Sequence, residues 1–323
     1  MERKGKGNTF VGSPIARRED WRFLRGAGTY VDDIAREGLL HAAIVRSPVA
    51  HGRILGFDKR PALALPGVHA VLAAAEIGTP VPLITLRSEH SLPSLVRFLQ
   101  PVIAGDVVRY TGEPVSVVLA SSAAVAEDAA RLVQLEIEPL PAILDRHAAR
   151  RGAPFVVAAA GTNEMAHLVA LRGDAEAALA AAPYRRRERF QVQRHTATMM
   201  EPRGLLAEWN AALGRLTVSG AAKTAFMNRR LLARQLGLPE GAIEMVENDV
   251  GGGFGVRGEF YPEDFLIPFA AKHTGRPVKW IEDRREHFLA SNPARDLDGE
   301  FEIACREDGT HLALRGIVHA DMG

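Results

Sequence analysis

Residues 248–264 read NDVGGGFGVRGEFYPED, with glycines at 251, 252, 253, 255 and 258 around one retained aromatic ring, Phe254. Glycine loses more conformational freedom on folding than any other residue. A chain that keeps five of them in eight positions therefore gains something from bare backbone. One reading is a tight turn between a strand and a helix, needing positive φ angles and no ligand. A second is a dinucleotide fingerprint, because Gly253, Gly255 and Gly258 satisfy G-x-G-x-x-G, with Glu282 and Asp283 about 25 residues on. Two features count against the second. A pyrophosphate needs a helix that begins within the glycines, whereas the helix signals here begin at Pro262. Glu259, Glu263 and Asp264 would also crowd negative charge where phosphate should sit.

Outward from the loop, AIEMVEN reads as a strand running into the glycines, and YPEDFLIPFAAKHTG as a helix from Pro262 to Gly275, despite Pro268. PVKWIED follows as a strand. Upstream, LLAEWNAALGRLTVSG reads as a hairpin and NRRLLARQLGLPE as a short helix closed by Gly237. In the first half, LLHAAIVRSPVAHGRILGFD carries two strands. PVSVVLA, AVAEDAARLV and QLEIEP then give strand, helix and strand. The expected division is an arm over 1–24, an α+β domain over 25–145, a linker over 146–163 and a second domain over 164–323. The arginines between 185 and 194 sit beside Glu188 and lack interleaved aromatics suited to stacking on bases, which predicts a solvated strand face, not a nucleic-acid patch.

The chain has 323 residues, 47% hydrophobic and 24% charged, the balance of a folded globular protein. Forty Lys and Arg against 39 Asp and Glu leave a formal charge of +1, so no overall field draws nucleic acid or an anionic membrane. Cys305 is the only cysteine, which excludes an intrachain disulfide and a cysteine-ligated iron–sulfur cluster or zinc ribbon built by this chain alone. No H-E-x-x-H or G-x-S-x-G motif offers a zinc site or a serine nucleophile. MERKGKGNTF leads into no apolar stretch of signal-peptide length, and PFVVAAAGTNEMAHLVALRG is interrupted at Gly161, Glu164 and His167. No export signal and no membrane span are expected, and a cytoplasmic location fits.

DVGGGFGVRGEFYPED, with NRRLLARQLGLPE before it and GRPVKWIEDRREH after it, resembles the molybdopterin-binding large subunit of the xanthine dehydrogenase and aerobic carbon monoxide dehydrogenase family. RFLRGAGTYVDDI, LHAAIVRSPVAHGRI and the YTGEPVSVVLA region resemble that family's a/b hammerhead domain. RHTATMMEPRGLLA onward resembles its first molybdopterin-binding domain. The nearest flavour is the carbon monoxide dehydrogenase-like branch.

The resemblance implies oxidative hydroxylation of a small molecule with water as the oxygen source. It implies a molybdenum–molybdopterin cytosine dinucleotide cofactor, and FAD and 2Fe-2S clusters on a medium and a small partner subunit. Gly252, Gly253, Phe254 and Gly255 match the loop whose amides approach the molybdenum centre. Thirty-one residues before Phe254, where many members carry a glutamine, stands Lys223, a second cofactor-side candidate. No catalytic residue is assigned, because the family's glutamate base and most pterin contacts belong to a second molybdopterin-binding domain beyond residue 323. The expectation is a half-site that needs that second half, its glycine loop on an open cleft. An exposed apolar patch and a sheet edge are expected near Phe254 and LALRGIVHAD.

Overall fold

The computed structural model describes residues 10–85, 93–220 and 222–322; the first nine residues of the expected arm lie outside them. The buried PVSVVLA run forms the strand Pro114–Ala120, whose seven residues are all buried. Such a strand must be covered on both faces, and it lies inside a seven-stranded mixed sheet. In spatial order the strands are Ile243–Val246, Arg215–Ser219, Gly204–Asn210, Val278–Ile281, Leu40–Arg46, Pro114–Ala120 and Val68–Ala73.

Four of these strands come from the second half of the sequence and three from the first. The seam is the parallel pairing of Leu40 with Val278 and His41 with Lys279. The core follows the sheet: Leu40, Ile103 and Leu119 share one apolar cluster with Leu206's neighbours Leu205 and Ala207, and with Phe265, Ile267 and Trp280. The two halves are thus joined by ladder hydrogen bonds and by common side-chain packing.

The helix Pro262–Thr274 starts and stops where its end signals predict. Asp264 accepts the Tyr261 amide at 2.7 Å, and Gly275, at φ +65°, donates its amide to Ala271 O at 2.9 Å. The helix Ala225–Leu236 likewise ends on Gly237 at φ +64°. The expected hairpin is present, pairing Leu206 with Ser219 and Asn210 with Arg215. Two elements differ from the sequence reading. The arm contains a short helix, Asp20–Leu24, and residues 296–305 form a long strand that no alternation signal marked.

That strand is the centre of a separate antiparallel sheet between Tyr184–Val192 and His311–Asp321. Side chains alternate across it. One face carries Arg187, Arg189 and Arg315, paired with Glu300, Asp298 and Glu302, so the arginine run is a solvated, ion-paired strand face. The other face carries Phe190, Phe301, Leu314 and Val318, and all but Phe301 are exposed. The strand His311–Asp321 pairs with no further strand on its outer side among the described residues. The apolar patch and sheet edge expected near the C-terminal strand are therefore both present.

Candidate active site

After the strand Ile243–Val246 the chain is clamped before it turns. Asp249 is held by both guanidinium Nη atoms of Arg22, and it accepts the Thr29 amide at 2.7 Å. Arg22 draws the Asp249 carboxyl down to about 2. Gly251 then lies flat against Glu201. Its amide donates to Glu201 Oε2 at 2.7 Å, its carbonyl accepts from the Glu201 amide at 3.3 Å, and an added Cβ would stand 2.4 Å from Glu201 Cβ. Glycine is required here by close approach.

At the next positions it is required by backbone angle. Gly252 has φ +107° and Gly255 φ +100°; between them Phe254, at φ +46°, is the only non-glycine residue with positive φ among the described residues. The Phe254 ring folds back over Gly252, 2.9 Å from where a Cβ would be, yet 79% of the residue is exposed.

The carbonyls of the four loop glycines are taken up by protein. Gly251 O accepts from Glu201, Gly252 O from Arg257 Nε at 2.7 Å, Gly253 O from the Val256 amide and Gly255 O from the Gly258 amide. The amides of Gly252, Gly253, Phe254 and Gly255 donate to no acceptor among the described residues. Successive free amides in a loop with left-handed residues form a concavity that attracts anions and oxo groups. Glycines 252 and 253 leave these amides uncovered by any side chain of their own. The loop therefore fits a group bearing oxygen or sulfur ligands on a metal.

Behind the loop lies a buried polar scaffold. Tyr261 Oη donates to Val256 O at 2.9 Å, and the Arg203 guanidinium lies 3.8 Å from the centre of the Tyr261 ring. Burial pushes the Tyr261 hydroxyl up to about 12, so it remains a donor. Arg203 pairs with Glu263 and Glu282, Glu263 pairs onward with Arg46 at 2.7 Å, and Arg46 with Glu286 at 2.8 Å. His287 Nδ1 meets Glu282 Oε2 at 3.0 Å and Nε2 donates to Ala197 O at 2.7 Å. Burial alone would raise the Glu263 carboxyl, but Arg203 and Arg46 hold it below its ordinary range.

The structure thus brings Gly252, Gly253, Phe254 and Gly255 together on one exposed loop. Lys223 adjoins them: its amide donates to Arg257 O at 3.3 Å and its side chain is exposed. Glu282 and Asp283, the acids of the dinucleotide reading, are committed elsewhere. Glu282 is buried against Arg203 and His287, and Asp283 caps the helix Arg284–Ala290. Residues 256–258 form a single 3-10 turn, and the α-helix begins only at Pro262, past the glycines. Glu201, Arg257 and Arg203 were missed by sequence reasoning, although Glu201 and Arg203 lie in the MMEPRG stretch.

Phe254→Ala is expected to lower stability by less than about 1 kcal/mol, because its ring is already in solvent. Phe265→Ala, buried in the core, should cost roughly 3–5 kcal/mol. Denaturant titration of both variants checks this, and similar losses would show that Phe254 is ordinary packing.

Two family models match the chain: the aldehyde oxidase and xanthine dehydrogenase a/b hammerhead domain over residues 25–141, and the molybdopterin cofactor-binding domain over residues 158–323. The chain is 36% identical over 323 residues to the 6-hydroxypseudooxynicotine dehydrogenase complex subunit gamma of Paenarthrobacter nicotinovorans, covering 99% of this chain and 40% of that one. It is 35% identical to the carbon monoxide dehydrogenase large chain of Hydrogenophaga pseudoflava, covering 95% of this chain and 39% of the other. Quinoline 2-oxidoreductase from Pseudomonas putida 86 superposes with a TM-score of 0.86 at 36% identity, covering 94% of this chain and 38% of that structure. The chain therefore spans about two fifths of the length of these relatives. A hammerhead domain followed by a molybdopterin cofactor-binding domain, together with these relatives, shows that the chain belongs to the xanthine dehydrogenase and carbon monoxide dehydrogenase family of molybdenum-dependent oxidoreductases.

Proposed function

We propose that this chain lines one side of the molybdenum–pterin site in the large subunit of a molybdenum hydroxylase of the carbon monoxide dehydrogenase-like branch. The observation that carries the reading is the row of amides at Gly252, Gly253, Phe254 and Gly255 that donate to no acceptor among the described residues, while the carbonyls of Gly251, Gly252, Gly253 and Gly255 are consumed by protein donors. When bound, the molybdopterin cytosine dinucleotide cofactor would supply oxidative hydroxylation with water as the oxygen source. The amides of Gly252 and Gly253 would hold the oxo or sulfido ligands by hydrogen bonds that need no reorganisation. Phe254 would shape the substrate's approach and exclude water. Lys223 would place a positive charge at the margin of the same loop, where it favours anionic forms of the centre. No residue of this chain is assigned as the catalytic base.

In this reading residues 1–24 are an arm, 25–145 the hammerhead domain, 146–163 a linker and 164–323 the first cofactor-binding domain. Partners are a C-terminal molybdopterin-binding half, an FAD-binding medium subunit and a 2Fe-2S small subunit in the cytoplasm, acting on a small-molecule substrate. Among the described residues no helix is long and apolar enough to cross a membrane.

A second reading, that the chain by itself is only a cofactor-lining half, is favoured by the exposed Phe190, Leu314 and Val318 on a three-stranded sheet with an open edge. One experiment addresses both. The chain is produced alone and together with polypeptides supplying the second cofactor-binding domain and the two partner subunits. Bound molybdenum and the cytidine monophosphate released by acid are then counted. Equimolar molybdenum and nucleotide are expected only in the assembled complex. Gly252→Ala should lower both severalfold there, because φ is +107° and the Phe254 ring occupies the space of the new methyl group. Stoichiometric cofactor on the chain alone would exclude the half-site, and full cofactor in Gly252→Ala would exclude the loop.

A further inference from the structure

The Arg257 guanidinium is almost wholly buried, with 4% of the side chain exposed, and it gathers four acceptors from two segments. Nε donates to Gly252 O at 2.7 Å, while Nη2 lies 2.7 Å from Glu201 O, 2.8 Å from Glu201 Oε2 and 3.0 Å from Pro202 O. Only arginine offers such a planar fork of donors. A peptide unit is planar and trans, so its carbonyl and the following amide point in opposite directions. A carbonyl drawn inward therefore turns the next amide outward. Arg257 draws in Gly252 O and so turns out the Gly253 amide. The Glu201 amide draws in Gly251 O and so turns out the Gly252 amide. The Glu201 carboxylate ties the two together, accepting from Gly251 N and from Arg257.

We infer that Arg257 and the Glu201 it is tied to are the positioning pair of the glycine loop: Arg257 aims the Gly253 amide and Glu201 the Gly252 amide at the bound group, without touching that group. This rests on the proposed cofactor-lining role of the loop. The alternative is a buried ion pair that stabilises the fold and leaves the loop's orientation to the glycines themselves.

The test uses the chain labelled with ¹⁵N-glycine and p-fluorophenylalanine, comparing wild type with Arg257→Met, Arg257→Lys and Glu201→Gln. In Arg257→Met the amide resonances of Gly252 and Gly253 and the fluorine resonance of Phe254 should move to averaged, solvent-like positions. The fluorine resonance of the buried Phe265 should stay in place. Arg257→Lys should recover part of the change, since an ammonium can still reach one or two of the acceptors. Loop resonances that stay in place in Arg257→Met would overturn the inference. If Arg257→Met disturbs Phe265 as well, Glu201→Gln decides. This variant keeps an acceptor oxygen and removes the charge, so movement confined to the loop upholds the inference and an unmoved loop overturns it. In the assembled complex, Arg257→Met should retain molybdenum roughly 10–100-fold more weakly on dialysis, as for other residues that orient the groups around a metal. A wild-type complex that holds no molybdenum would defeat the cofactor reading while leaving the resonance result to stand.

Discussion

Glu263→Ala should lower the stability of the chain by about 3–5 kcal/mol, a fall in thermal midpoint on the order of 10 °C. Glu263 is 1% exposed and, among the described residues, is the one carboxylate that meets both Arg46 at 2.7 Å and Arg203 at 3.3 Å. Both arginines are themselves buried, and their neighbouring carboxylates hold their charge in spite of burial. Removing the shared carboxylate takes one partner from each of two buried guanidinium groups, in a medium that solvates their charge poorly, and leaves each with a single carboxylate, Glu286 or Glu282. Arg46 comes from the first half of the sequence and Glu263 and Arg203 from the second, so the damage falls where the halves meet. Glu208→Ala is the control: its pair with Arg36 is partly exposed at the surface, and the expected change is below about 1 kcal/mol. Equal losses in the two variants would refute the account. Because Arg203 also backs Tyr261, whose hydroxyl donates to Val256 O, Glu263→Ala should loosen the glycine loop too.

Between about pH 4.5 and 7 the wild-type chain should lose roughly 3 kcal/mol that Glu113→Gln does not lose. Glu113 is fully buried, its Oε1 has no hydrogen-bond partner among the described residues, and the Arg109 guanidinium stands 3.9 Å away. Burial outweighs the Arg109 amide and charge, and it raises the carboxyl to about 7. Below about pH 4.5 the group is protonated in both folded and unfolded states and contributes no pH dependence. As pH rises, the unfolded chain releases this proton first while the folded chain retains it, so stability falls. The fall is complete once pH passes about 7, where the folded state ionises as well. Denaturant titrations of both proteins at pH 5 and pH 8 measure the difference. Parallel pH profiles would show that Glu113 is paired in a way that cancels its burial.

Much of the local structure could be read directly. The strand Pro114–Ala120, the helix Pro262–Thr274 and the closures at Gly237 and Gly275 follow from short-range rules: an apolar run, a proline and acids in a first turn, a glycine free to take positive φ. The strand Asp296–Cys305 escaped notice because its charged residues point to a face covered by paired arginines from two other strands. That arrangement exists only once the three strands are assembled.

The family and the exposed loop were legible along the chain, since a glycine run around one phenylalanine, in order with several long motifs, depends on local backbone chemistry. Tertiary structure alone decided what holds that loop. Arg257, Glu201 and Gly251 are drawn together from segments about 50 residues apart, and Asp249 is fixed by Arg22 from the far end of the chain. It also decided that the two halves share one sheet, through the pairing of Leu40 with Val278. Hydrogen bonds and ion pairs between distant residues leave no periodic trace in a sequence, because their partners are set by how the sheet closes and not by spacing along the chain.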